Sequence, residues 1–321
     1  MQFRTSIQIP PSQHPIGYSD RGLLLGSCFT ENIGARMTRY KLPVTVNPSG
    51  ILFNPASIFH TLERYASGEL YRTEDLSCDN GLWFNFDHHS AFSSTDRQKT
   101  LDRINRATET GARTLQSADY LILTLGTAWI YRWKSNGRIV CNCHKQPAAH
   151  FIRERLSAET IVEQFALLAE GCLRNKRILW SVSPVRHIGD GLIDNAWSKA
   201  ILLDAVHRIV ERFPNNEYFP SFEIVNDDLR DYRFYDKDMV HPSELAVDYI
   251  WEQFQESHIS HEARLLFKRI EALHRAMEHR PFNPDSPAHE RFRQRYADET
   301  RRLMQEYPDL DFTPEINFFE S

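Results

Sequence analysis

Five short apolar runs punctuate the chain, at residues 22–26 (GLLLG), 43–47 (PVTVN), 120–126 (YLILTLG), 176–183 (KRILWSVS) and 217–225 (EYFPSFEIV). The first four are bounded by turn residues and hardly alternate with polar positions, which predicts strands covered on both faces. Pro220 inside the fifth predicts an edge strand or a bulge. Between the runs, apolar residues recur at helical spacing over 32–41, 55–66, 101–116, 158–174, 194–212 and 244–254. The 158–174 segment shows the pattern well: Ser157 stands as N-cap, and Ile161, Val162, Phe165, Leu168 and Cys172 fall on one face. Strands alternating with helices predict a parallel sheet with helices on both sides.

Two insertions interrupt this rhythm. Residues 67–98 are polar and turn-rich, and residues 129–143 predict a hairpin with Asn136-Gly137 at its tip. After His258 the pattern changes. Residues 259–279 predict a charged helix with a narrow apolar stripe (Leu266, Ile270, Leu273, Met277). A PFNPDSP breaker follows, then a second charged helix over 288–306. The expected division is a domain over 1–258 and a charged helical extension over 259–321, whose helices pack on the domain or offer a surface for a second subunit.

Composition narrows the partners. Of 321 residues, 38 are Lys or Arg and 43 are Asp or Glu, and the net charge of −5 gives no electrostatic reason to expect nucleic acid or an anionic membrane. No apolar stretch approaches the length of a membrane span. The opening residues lack the basic-then-apolar pattern of a secretory signal, and the five scattered cysteines suit free thiols. These features predict a cytoplasmic protein. Neither Cys141-Asn142-Cys143-His144 nor the His88-His89 pair has the spacing of a metal site. Hairpin packing is expected for the first and a solvated loop for the second, with no metal and no cofactor.

Chemistry is expected at the ends of the strands, where open parallel sheets assemble their sites. Gly26-Ser27-Cys28-Phe29 follows the first run. A serine there either caps the next helix or presents a nucleophilic hydroxyl beside a helix N-terminus, where developing negative charge is favoured. The neighbouring Cys28 is an alternative nucleophile whose side chain is expected to turn toward the core. Asp238-Met239-Val240-His241 follows the last run, and an Asp three residues before a His can orient the imidazole as a general base. The remaining strand ends carry Gly50, Thr127 and the Arg186-His187 pair. Arg186 is expected either to bind a substrate anion with His187 or to pair with Asp190.

Together these elements resemble the SGNH (GDSL-type) hydrolase superfamily, and more closely the GSCFA family, whose motif reads GSCFT here with Thr30 in place of Ala. The blocks NPSGILFNP (47–55), LTLGTAWIY (123–131), NCHK (142–145), SPVRH (183–187), NAWSKA (195–200) and DDLRDYRFYDKDMVHPS (227–243) extend the likeness over roughly residues 20–255. The resemblance implies a three-layer α/β/α sandwich of the flavodoxin-like SGNH type with about five parallel strands. It also implies an esterase triad of Ser27, Asp238 and His241 acting on a short acyl ester, O-acetylated carbohydrate among the candidates. One departure stands out: the Gly-x-Asn-Asp block after the third strand, whose Asn serves the oxyanion, is replaced by Gly126-Thr127-Ala128-Trp129. The Ser27 N–H, Gly50, Thr127 and Asn142 are the candidate replacements. The same residues would serve an acyltransferase. A degenerate domain that binds glycan or peptide without catalysis is the competing expectation.

Overall fold

The computed structural model describes residues 4–320, the side chain of Asp190 excepted. Strand β1 (Gly22–Gly26) leads into helix α1 (Cys28–Arg39), followed by β2 (Val44–Val46) and α2 (Pro55–Ser67). A small hairpin of β3 (Ser77–Asp79) and β4 (Leu82–Phe84) precedes the long α3 (Arg97–Ser117). Then come β5 (Tyr120–Leu125) and an antiparallel flap of β6 (Trp129–Trp133), β7 (Ile139–Val140) and β8 (Phe151–Arg155). Helix α4 (Ala158–Glu170), β9 (Arg177–Val182), α5 (Leu192–Arg212), β10 (Asn216–Tyr218) and the short α6 (Ser221–Glu223) continue the chain, which closes with α7 (Glu244–His258), α8 (His261–Glu278), α9 (Pro287–Glu306) and α10 (Thr313–Glu320).

The central sheet is wholly parallel, in the order β10-β9-β5-β1-β2. Counting only its own strands, that is 2-1-3-4-5, the doubly wound flavodoxin-like order, whose switch point lies between β1 and β5. Side chains of β1 alternate between two cores. Leu23 and Leu25 pack with Ile58, Phe165 and Val206 from α2, α4 and α5, whereas Leu24 packs with Ile33, Ile250 and Phe254 from α1 and α7. The three layers follow directly from that alternation.

The fifth apolar run folds differently from its sequence expectation. Strand β10 stops at Tyr218, at the sheet edge, and residues 221–229 continue as a helical turn and then a π-helical turn. Pro220 lacks the N–H that would extend the ladder, and the turn buries Ile224 and Val225 instead.

Helices α8 to α10 form a core of their own, with Leu266, Ile270, Leu273, Leu303, Phe312 and Phe319 buried in it. The narrow stripe of α8 is therefore covered from within the chain. Tyr40 fastens this unit to the sandwich, stacking on Trp251 and Phe267 and donating its hydroxyl to Glu271 (3.0 Å). No helix among the described residues is long and apolar enough to cross a membrane.

Candidate active site

The turn between β1 and α1 is built around Gly26. Its φ of +150° is one that L side chains rarely adopt, and an added Cβ would lie 2.3 Å from the Thr124 carbonyl. The Gly26 N–H donates to Asn47 Oδ1 (2.9 Å), which ties the end of β1 to the end of β2. This close passage brings the chain into α1 at the switch point, beside the cavity that Cys28 lines.

Ser27 is the N-cap of α1. Its hydroxyl accepts from the Phe29 N–H (3.3 Å), its own N–H donates to the Thr124 carbonyl (3.3 Å), and it is only 1% exposed. An N-cap serine contributes about 1 kcal/mol relative to alanine. Ser27→Ala is therefore expected to lower stability by about that amount, read as a lower urea midpoint at unchanged slope.

Beside this turn lies a cavity of about 530 Å³, within the size range of small-molecule sites. Its walls include Cys28, Phe53, Thr127, Trp129, Tyr131, Asn142, Arg186, His187, Val240 and His241, and Ser27 is not among them. Cys28 was expected to turn toward the core. It is partly buried, packs against the core that Ile33 and Phe254 share, and also lines the cavity. A larger groove, of about 710 Å³ between α7, α8 and α9, is lined by charged residues such as Glu252, Lys268 and Arg275 and holds no paired nucleophile and base.

Asp238 and His241 form the expected pair. Asp238 Oδ2 lies 2.7 Å from His241 Nδ1, and Oδ1 accepts the Val240 and His241 N–H groups (2.9 and 3.0 Å). Those backbone donors, the imidazole bond and the imidazole's charge hold the Asp238 carboxyl at about 2, so it stays ionised at neutral pH. The pair fixes the imidazole tautomer with Nε2 free. No hydrogen bond links Ser27 Oγ to His241 among the described residues.

The oxyanion candidates separate clearly. The Ser27 N–H is engaged, and the Gly50 N–H donates to Asn47 O (2.8 Å), with Gly50 packed against His89. Neither is available. The Thr127 hydroxyl reaches the cavity but is held by Ser198 Oγ and the Trp129 N–H, both at 3.1 Å. Asn142 does fold back: the Cys141 and Asn142 N–H groups donate to Phe86 O, Asn142 Oδ1 accepts from the His144 N–H (2.8 Å), and its Nδ2 has no partner among the described residues.

Arg186 lies over the Tyr235 ring (3.9 Å) and forms no ion pair among the described residues; the side chain of Asp190, its alternative partner, lies outside them. Next to it, burial pushes His187 down to about 4, helped by Lys199 and His241, so the ring is neutral. His187 Nε2 and Trp129 Nε1 are buried without protein partners, and both residues line the cavity. Orphaned polar atoms of this kind call for a polar ligand or water.

Two neighbouring features escaped sequence reasoning. Lys199, inside the NAWSKA block, is fully buried, and its ammonium donates to Gly126 O (2.6 Å) and Ser183 O (2.7 Å), at the ends of β5 and β9. Desolvation brings it down to about 7. His88, expected in solvent, is 1% exposed and packed edge-on against Tyr71 and Phe92.

Fold and site together define a doubly wound α/β protein that carries an aspartate-oriented histidine in the cleft at its switch point. The chain belongs to the GSCFA family: the family model matches residues 21–254, and that of the GSCFA domain protein, C-terminal domain, matches residues 270–321. A comparison with curated proteins finds no match.

Proposed function

We propose that this protein is an acyl-transfer enzyme of the SGNH type that hydrolyses a short acyl ester, with His241 as general base and acid and Asp238 orienting it. The nucleophile comes from the turn between β1 and α1. The observation that carries the reading is His241, bonded to Asp238 at 2.7 Å, in the wall of a cavity that Cys28 at the N-terminus of α1 also lines. A base held in one tautomer, a helix N-terminus for developing negative charge and a mostly apolar enclosure are the parts that acyl transfer requires. Asn142 Nδ2 stands in for the missing block asparagine as oxyanion donor. Arg186 and the orphaned His187 Nε2 are suited to an anionic or hydroxyl-rich part of the substrate, as in an acylated carbohydrate. An acceptor alcohol in place of water would make the same site an acyltransferase.

The test is saturable hydrolysis of p-nitrophenyl acetate by the full chain, with release of one p-nitrophenolate per site in the first turnover. Folded protein that gives no turnover above the uncatalysed rate would overturn the enzyme reading and leave a cavity that only binds its ligand.

A further inference from the structure

Resting on the acyl-transfer reading above, we propose that Cys28, not Ser27, is the nucleophile of this site. The two residues are adjacent in sequence, but the backbone gives them opposite surroundings. Ser27 spends its hydroxyl on the Phe29 N–H and its amide on Thr124 O, and it is buried outside the cavity. Cys28 is the first residue of α1, partly exposed, and it shares the cavity wall with His241, His187 and Asn142. Only one of these two side chains can meet a substrate carbonyl bound against His241.

The surroundings of Cys28 suit a thiol that ionises during attack. Its Sγ lies by the first N–H groups of α1, and the buried Lys199 is close enough for its charge to couple to the thiolate. Burial, with a smaller push from Glu31, raises the thiol and prevails at rest, while the amides and Lys199 favour the anion. The resting group is therefore a neutral thiol that depends on a base. Asn142 Nδ2, without a partner among the described residues, is left to receive the oxyanion, and the Cys28 N–H, which bonds Sγ at rest, turns to it as the Sγ–C bond forms.

The reaction balances without any oxidant or co-reactant other than water. The Cys28 proton passes to His241 Nε2 as the Sγ–C bond forms. The tetrahedral oxyanion collapses, the ester C–O bond breaks, and the leaving alkoxide takes the proton from His241. Water, deprotonated by His241, then attacks the Cys28 thioester, releasing the carboxylic acid and the thiol.

Four full-length proteins test this: wild type, Ser27→Ala, Cys28→Ala and His241→Ala. Turnover of p-nitrophenyl acetate is measured, and the acetyl group is located by mass spectrometry after a rapid quench. Ser27→Ala is expected to keep at least a third of wild-type turnover despite its lower urea midpoint. Cys28→Ala should lose a hundredfold or more, and the wild-type acetyl group should sit on Cys28 as a hydroxylamine-labile thioester. Loss of turnover in Ser27→Ala with retention in Cys28→Ala, or acetyl on Ser27, overturns the assignment while acyl transfer itself stands. If wild type turns over no ester, acyl transfer falls, and alkylation by iodoacetamide still decides the thiol: Cys28 modified at least fivefold faster in wild type than in His241→Ala supports a thiol–imidazole pair, and equal rates overturn it.

Discussion

His241→Ala is expected to lower kcat on short acyl esters by about 10² to 10⁴, the range a positioned general base supplies. KM should change little, because the lost interaction belongs to proton transfer. Asp238→Asn should fall in the same range. An amide in that place can still accept the Val240 and His241 N–H groups, but its NH₂ faces His241 Nδ1 and drives the ring proton to Nε2, the wrong tautomer for a base. Combining the two substitutions should add almost nothing, since residues that act as a unit are not additive. Both side chains are about half exposed, 45% for His241 and 49% for Asp238, so neither variant should shift the melting midpoint. A His241→Ala protein that keeps more than a third of its turnover would remove His241 from the mechanism.

The scaffold of this site is legible in the sequence because its signals are local and redundant. The four uninterrupted apolar runs give β1, β2, β5 and β9 at nearly their observed bounds, since a strand buried on both faces must be apolar throughout. The Asp238–His241 pair is equally local: four consecutive residues carry both side chains and the amides that orient them. The fifth run fails because its apolar residues are buried by a helical turn as readily as by a strand, and periodicity over nine residues broken by Pro220 does not separate the two.

At the β1–α1 turn the difficulty is one of phase. Apolar spacing starts the helix near residue 32, four residues beyond its true first residue, Cys28. Beginning at Cys28 makes Ser27 the cap, one of the two roles its sequence position offers, and puts Cys28 in the cavity wall. Lys199 is illegible for a different reason. It lies on the apolar face of α5 because the carbonyls ending β5 and β9 need a donor, and that need exists only once the two strand ends are side by side.

Stability should fall steeply as the pH drops from 6.5 toward 4. His88, His187 and His258 are each brought down to about 4, in every case chiefly by burial. His258 stacks on Phe254 and meets Phe219 edge-on, with Glu217 3.8 Å from its Nε2 offsetting only part of the burial, and His88 is enclosed by Tyr71 and Phe92, so a charge on either ring is poorly solvated. In the unfolded chain the same rings titrate near 6.5. Between those values the unfolded state binds more protons than the folded one, so each ring stabilises the fold fully above pH 6.5 and loses that contribution as the pH falls through the window. One proton is worth about 1.4 kcal/mol per pH unit. Three together give a slope of about 4 kcal/mol per unit near pH 5, against a total stability of about 5–15 kcal/mol for a typical domain. Asp87 works in the same direction but lower: its carboxyl is at about 2, held there by His60 and Arg138 against the effect of burial, so its share is lost only below pH 4. Urea midpoints followed by tryptophan fluorescence at pH 7, 6 and 5 should fall progressively, and His88→Gln should remove about a third of that dependence. Midpoints unchanged from pH 7 to pH 5 would mean that the three rings are protonated inside the fold.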